Sequence, residues 1–83
     1  MKPDKALIRH TLAILRRIGP AGLEENALMV EIEVAACRPL TTAEARDTLA
    51  YCADRAWTNS RRDDFDQTRI WITHAGLNTL AGM

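Results

Sequence analysis

Arg38–Trp57, RPLTTAEARDTLAYCADRAW, sets out in one run a tight turn, a capped helix and the start of a strand. Thr41 and Glu44 stand in the T-x-x-E spacing of a capping box, in which the hydroxyl accepts from the backbone N–H three residues on and the carboxylate reaches back to the cap. A helix therefore starts at Thr42. Pro39 holds Arg38 away from helical geometry, so only a few residues separate this helix from the one before it, and the pair forms a helical corner.

At about 100° per residue, Ala45, Leu49, Cys52, Ala53 and Ala56 share one sector with Thr48 at its edge, and this is the face expected to pack. The opposite face is Ala43, Asp47, Ala50 and Asp54, flanked by Arg46 and Tyr51. Two carboxylates in the middle of that face would repel a phosphate-lined groove.

Upstream, Asp4 to Ile18 reads as an amphipathic helix with Leu7, Ile8, Thr11, Ile14, Leu15 and Ile18 on its apolar side. Lys2, Lys5, Arg9 and Arg16 line another side, either as a solvated face or as contacts to phosphate or to an acidic partner. Gly19 and Pro20 end the helix, Gly as a left-handed cap and Pro because it cannot continue it.

Leu23 to Cys37 carries two apolar stripes at helical spacing. One is Leu23, Ala27, Val30, Val34 and Cys37; the other is Leu28, Ile32 and Ala35. Val30, Ile32 and Val34 also alternate with Glu31 and Glu33 as a strand would, but the wealth of Ala, Leu, Met and Glu, with Glu24 and Glu25 at the positive end, favours a helix. A helix so apolar around its circumference has surplus surface. The second stripe, Leu28, Ile32 and Ala35, is expected either against another chain or under a C-terminal helix.

Downstream, Trp57 to Ser60 and Thr68 to Thr73 have strand character around the polar segment Arg61 to Gln67, which reads as a hairpin tip. Alternation turns Ile70 and Ile72 inward with Trp57 and leaves Arg69 and Trp71 on the other side. Trp71 is then a partner contact or a lid on the hairpin. Thr73 is placed to cap a last helix, Ala75 to Leu80, whose Leu77 and Leu80 return to the core.

Bulk properties set the frame. A chain of 83 residues with 47% hydrophobic content is expected to form a single domain, residues 1 to 83, around one small core. The absence of a long apolar run, and of a charged, apolar and small-residue succession at the start, predicts a cytoplasmic chain without a membrane span. Cys37 and Cys52 stand apart and His10 and His74 are the only histidines, which lacks metal-ligand spacing and predicts free thiols. Net charge is zero, eleven basic residues against eleven acidic. The distribution is uneven: residues 1–20 hold five bases and one acid, and residues 21–37 hold four glutamates and no base.

Helix, helix, tight turn, helix and hairpin, with the phrases LTTAEARDTLAYCADRAW and RIWITHAGLNTL, resembles the winged helix-turn-helix family over residues 5 to 80. The most specific part is I-T-x-x-G-x-x-x-L, here Ile72, Thr73, Gly76 and Leu80. The resemblance implies an α+β, mainly α fold with three helices, a two-stranded wing hairpin and a short C-terminal helix. It also implies that the third helix enters the major groove while the wing touches backbone or minor groove. By position, the groove-facing residues are Thr42, Ala43, Arg46, Asp47 and Ala50, and the wing contacts are Arg61 and Arg62. Arg46 is suited to a guanine edge and Thr42 to a phosphate at the helix N-terminus. Two features depart from the pattern: Ala56 stands where many members have Gly, and Asp63, Asp64 and Asp66 offset the wing arginines.

Two functions follow as expectations. The first is a small, dimeric DNA-binding transcriptional regulator using Arg38, Arg46, Arg61, Arg62 and Arg69 on double-stranded DNA. The second is a winged-helix interaction module without nucleic acid, suited by neutral charge, by the apolar second helix and by an outward Trp71. No cofactor is expected. Nor is an enzyme, because the sequence has no grouped nucleophile, base and acid, no glycine-rich phosphate loop and no metal motif.

Overall fold

The structure is a computed structural model, and it describes residues 3–83; Lys2 of the basic stripe lies outside them. The chain runs α1 (Lys5–Ile18), β1 (Leu23–Glu24), α2 (Glu25–Ala36), α3 (Thr42–Asp54), β2 (Thr58–Arg62), β3 (Thr68–Ile72) and α4 (His74–Ala81). The Asp4 carboxylate caps α1 by accepting from Ala6 N at 2.9 Å. Gly19, at φ 86°, ends it with its N–H on Leu15 O.

α1 is the central element. Leu7, Ile14 and Leu15 meet Leu28 and Ile32 of α2 and Ile70 of β3, while Ile8 and Leu12 meet Cys52 of α3, with Trp57, Leu80 and Met83 around them. Each fully buried aliphatic contributes about 1.5–3 kcal/mol. Leu12 is fully buried although it falls outside the apolar side read from the sequence, and Ile18 at its end is 37% exposed. A helix packed by α2, α3, α4 and β3 buries a wider arc than one stripe. The Thr11 hydroxyl inside that arc donates to Leu7 O at 2.8 Å, so its burial leaves no orphaned polar group.

Two readings are corrected. The wing is not a two-stranded hairpin alone, because Leu23 and Glu24 form β1 and pair antiparallel with Ile70 and Arg69, giving the order β1-β3-β2. Leu23 is thus extended, and α2 begins only after Glu24, whose carboxylate accepts from Ala27 N. Gly22 makes the approach feasible: it sits at φ 73°, and a Cβ there would lie 2.6 Å from Ile70 O.

The second correction concerns α2. It is a helix, as favoured, but its faces are reversed. Leu28 and Ile32, expected against another chain or under α4, are fully buried against α1, whereas Val30 is 58% and Val34 68% exposed. Leu28 and Ile32 are therefore no part of any surface; of that stripe only Ala35 is exposed.

The hairpin pairs Thr58 with Ile72 through Arg62 with Thr68. Ile70 is buried and Ile72 half-buried, as alternation requires. The I-T-x-x-G-x-x-x-L phrase joins wing to body. Thr73 N donates to Trp57 O, the Thr73 hydroxyl donates to Ala56 O and accepts from Gly76 N, and a Cβ on Gly76 would collide with Trp57 O. Glycine is required there for want of space.

Candidate nucleic-acid interface

The corner that carries α3 is built from side chains reaching across it. Glu33 of α2 accepts from Leu40 N at 3.0 Å. The capping box forms as read, Glu44 N donating to the Thr41 hydroxyl and Thr41 N to the Glu44 carboxylate. Arg38 adds an ion pair to Glu44 at 3.1 Å. The Arg38 hydrogen bond, followed by the one from Thr41 N, holds the Glu44 carboxyl below its ordinary value of 4.5. Two consequences bear on recognition. Arg38 is engaged within the chain, and the positive end of α3 already faces a carboxylate, which a phosphate near Thr42 would have to displace.

Ala45, Thr48 and Cys52 form the buried face of α3. Burial pushes the Cys52 thiol up to about 11. Thr42, Ala43, Arg46, Asp47 and Ala50 are all on the accessible side, and so are Ala53 and Asp54. Ala53 and Ala56, read as packing, are exposed, and Leu49 is half-buried. Tyr51, read as flanking the exposed face, is half-buried beside the Ile8–Leu12–Cys52 cluster. It meets Trp57 edge-to-face at 5.9 Å and lies under Arg55, whose guanidinium carbon is 3.8 Å from the ring centre. That Tyr51–Arg55 stack was legible as an i, i+4 pair.

The exposed face of α3 is divided rather than uniformly mixed. Arg46, Ala50 and Ala53 line a cleft of about 240 Å³ with Ser60 and Thr68 of the wing and Glu25 of α2. Asp47 faces the other way, into a cleft of about 320 Å³ with Asp4, Leu7, Arg38 and Glu44. The carboxylate and the guanidinium, adjacent in sequence, thus point to different flanks of the helix. Small side chains at Ala43, Ala50 and Ala53 leave the strip between them low.

On the wing, Arg61 stands directly opposite Arg69 and Trp71 opposite Asn59. Like charges facing each other across a pair are unfavourable unless an anion or a hydrogen bond offsets them. Arg69 donates to Gly22 O at 3.2 Å, and the half-buried Trp71 lines a cleft of about 370 Å³ with Pro20, Ala21, Arg61 and Arg69. The acidic tip is largely structural. Asp63 accepts from Phe65 N and Gln67 N, which shapes a tight loop with Asp66 at φ 64°, and Asp66 pairs with Arg62 at 3.3 Å. The exposed Lys5, Arg9 and Arg16 lie outside this surface, because the face of α1 that meets α3 is the buried one.

A helical corner whose second helix is capped and solvent-facing, followed by a hairpin contiguous with it, is the winged helix-turn-helix architecture. No protein-family model and no curated protein matches the chain. Two solved structures share its fold. H. salinarum RosR superposes with a TM-score of 0.81 at 13% identity, over 95% of this chain and 69% of that one. A point mutant of S. aureus MepR gives 0.67 at 22% identity, over 90% of this chain and 51% of that one. The chain thus spans about half of MepR and somewhat more than two thirds of RosR.

Proposed function

We propose that the chain is a non-catalytic, DNA-binding winged-helix regulator working in the cytoplasm, with the Ala43–Arg46–Ala50 strip of α3 toward the major groove and Arg61, Arg62 and Arg69 on the sugar-phosphate backbone. The observation that carries this reading is the cleft that Arg46 of α3 shares with Ser60 and Thr68 of the wing strands, since it sets a base-reading guanidinium and the wing on one side of the molecule. Arg61 and Arg69 stand on the other face of the ribbon, beside Trp71, where they can meet the backbone that flanks the wing. The regulators RosR and MepR, which share the fold, support it. Asp47 on the opposite flank contributes orientation: a duplex seated centrally on α3 meets a carboxylate, whereas one shifted toward the wing meets Arg46.

Binding is tested by fluorescence anisotropy with labelled duplexes across a salt series. Affinity is expected to fall steeply with salt. Arg61→Ala with Arg62→Ala should weaken all duplexes alike and lower the salt slope by about one for each phosphate-binding arginine removed, while Arg46→Ala should change sequence preference. Absence of binding to any duplex at low salt ends this reading.

The exposed strip Ala27, Val30 and Val34 on α2 favours a second role, association with another protein surface, a second copy included. Val34→Lys should then reduce association while leaving duplex binding by the remaining monomer intact.

A further inference from the structure

Phe65, at the tip of the wing, is 85% exposed, the most exposed large hydrophobic residue among those described. It is held out rather than left loose. The Asp63 carboxylate binds the N–H groups of Phe65 and Gln67, and Asp63 N closes the loop on Gln67 O at 2.8 Å. Asp64 and Asp66 are its neighbours in the chain, and among the described residues Asp64 has no salt-bridge partner while Asp66 meets only Arg62. A presented phenyl ring with an acidic residue before and after it in the chain is ill-suited to phosphates and well suited to an apolar pocket with a cationic rim.

The same chain carries such a pocket at the other end of α1. Ile8, Tyr51, Trp57 and Met83 line a cleft of about 400 Å³, together with Asn78, Thr79 and Lys5. Arg9 stands one turn further along, in a cleft that shares Lys5 and Met83. Arg55, stacked on Tyr51 and 5.8 Å from the Trp57 ring centre, adds a third cation. Lys5 and Arg9 have no salt-bridge partner among the described residues.

Tip and pocket cannot meet within one chain. The wing cleft includes Pro20 and Ala21, just beyond the C-terminal end of α1, whereas the pocket is lined from its first turn; fourteen helical residues lie between, about 21 Å of rise.

We propose that the occupant of this pocket is the Phe65 wing tip of a second copy of the chain, giving head-to-tail association. The phenyl ring packs against the Tyr51–Trp57 pair, whose aromatic edges and faces offer favourable partners. Asp64 and Asp66 meet Lys5 and Arg9. Because the two surfaces differ, the contact is heterologous and propagates into a ring or an open array instead of stopping at a symmetric pair. The inference rests on the tip and the pocket alone and holds whether or not the chain binds DNA.

Sedimentation equilibrium of the full chain tests it. The average mass of the wild type should rise with concentration and fall again with added salt. Phe65→Asp removes the tip, and Lys5→Glu with Arg9→Glu reverses the rim; all three positions are exposed, so circular dichroism should match the wild type. Each variant alone should show a lower average mass than the wild type at equal concentration. Mixed one to one, they should regain mass, because the intact pocket of the first accepts the intact tip of the second. A Phe65→Asp chain that associates as strongly as the wild type overturns the proposal. So does a mixture whose mass is the mean of its components.

Discussion

α2 and α3, the two helices of the corner, are built to opposite plans. α2 buries large side chains, Leu28 and Ile32, and leaves Val30 and Val34 in solvent. α3 buries small ones, Ala45, Thr48 and Cys52, and turns alanines and charges outward. Both end alike. Cys37 N reaches Val34 O and Arg38 N reaches Glu33 O after α2, while Ala56 N reaches Ala53 O and Trp57 N reaches Cys52 O after α3. Each closing residue is left-handed without being glycine, Cys37 at φ 56° and Ala56 at φ 59°. The shared ending and the differing faces separate what the corner requires from what each helix does: α2 anchors, and α3 presents a surface while lying lightly on α1.

The largest contrast is chemical. Cys37 of the α2 end is exposed and Cys52 of α3 is buried, with its thiol pushed up to about 11. A thiol reagent near neutral pH should therefore label Cys37 orders of magnitude faster, and Cys52 only through opening of the fold. Comparable rates would show that α3 detaches readily. Next in size, Ile32→Ala should cost about 2–5 kcal/mol in denaturant unfolding, while Val34→Ala stays within about 0.5 kcal/mol. The reverse order would restore the facing read from periodicity.

A smaller effect distinguishes the cap of α3. Thr41→Ala should cost about 1 kcal/mol. Because the Glu44 carboxyl is held below 4.5 in the folded chain, its contribution is present in full above that value and is lost as pH falls through the folded one. The difference in melting temperature between wild type and Glu44→Gln should thus shrink on acidification. Smallest of all, Ala56→Gly should stabilise by roughly 0.5–1 kcal/mol, since only glycine occupies the left-handed region without cost. A loss of stability would mean that the methyl group makes contacts that outweigh the strain.

Legibility in the sequence followed the contrast within each segment. Thr41 and Glu44, Gly19 and Thr73 act locally through their own backbone neighbours, so their roles could be read residue by residue; Asp4, taken as the start of α1, proves to be its cap. In α2 the two stripes are about equally apolar, and periodicity gives a face only where the opposite face is polar. β1 was hidden because two residues offer no alternation and their partners lie far along the chain. Of the recognition surface, the exposed positions on α3 were legible. The separation of Arg46 from Asp47 was not, because it depends on where the wing and the first turn of α1 lie.

Local chemistry alone therefore determined the caps, the corner and the hairpin, each a matter of hydrogen bonds between near neighbours, whereas the joint that Thr73 and Gly76 make with Ala56 and Trp57 joins residues well apart in the chain. Tertiary packing decided which side of α2 is inside, that Leu23 and Glu24 join the sheet, that Arg38 belongs to Glu44, and that Phe65 and the Tyr51–Trp57 pocket stand at opposite ends. Those outcomes turn on competition among contacts distant in sequence, and burial goes to the arrangement that removes the most apolar surface from water while leaving every buried polar group a partner.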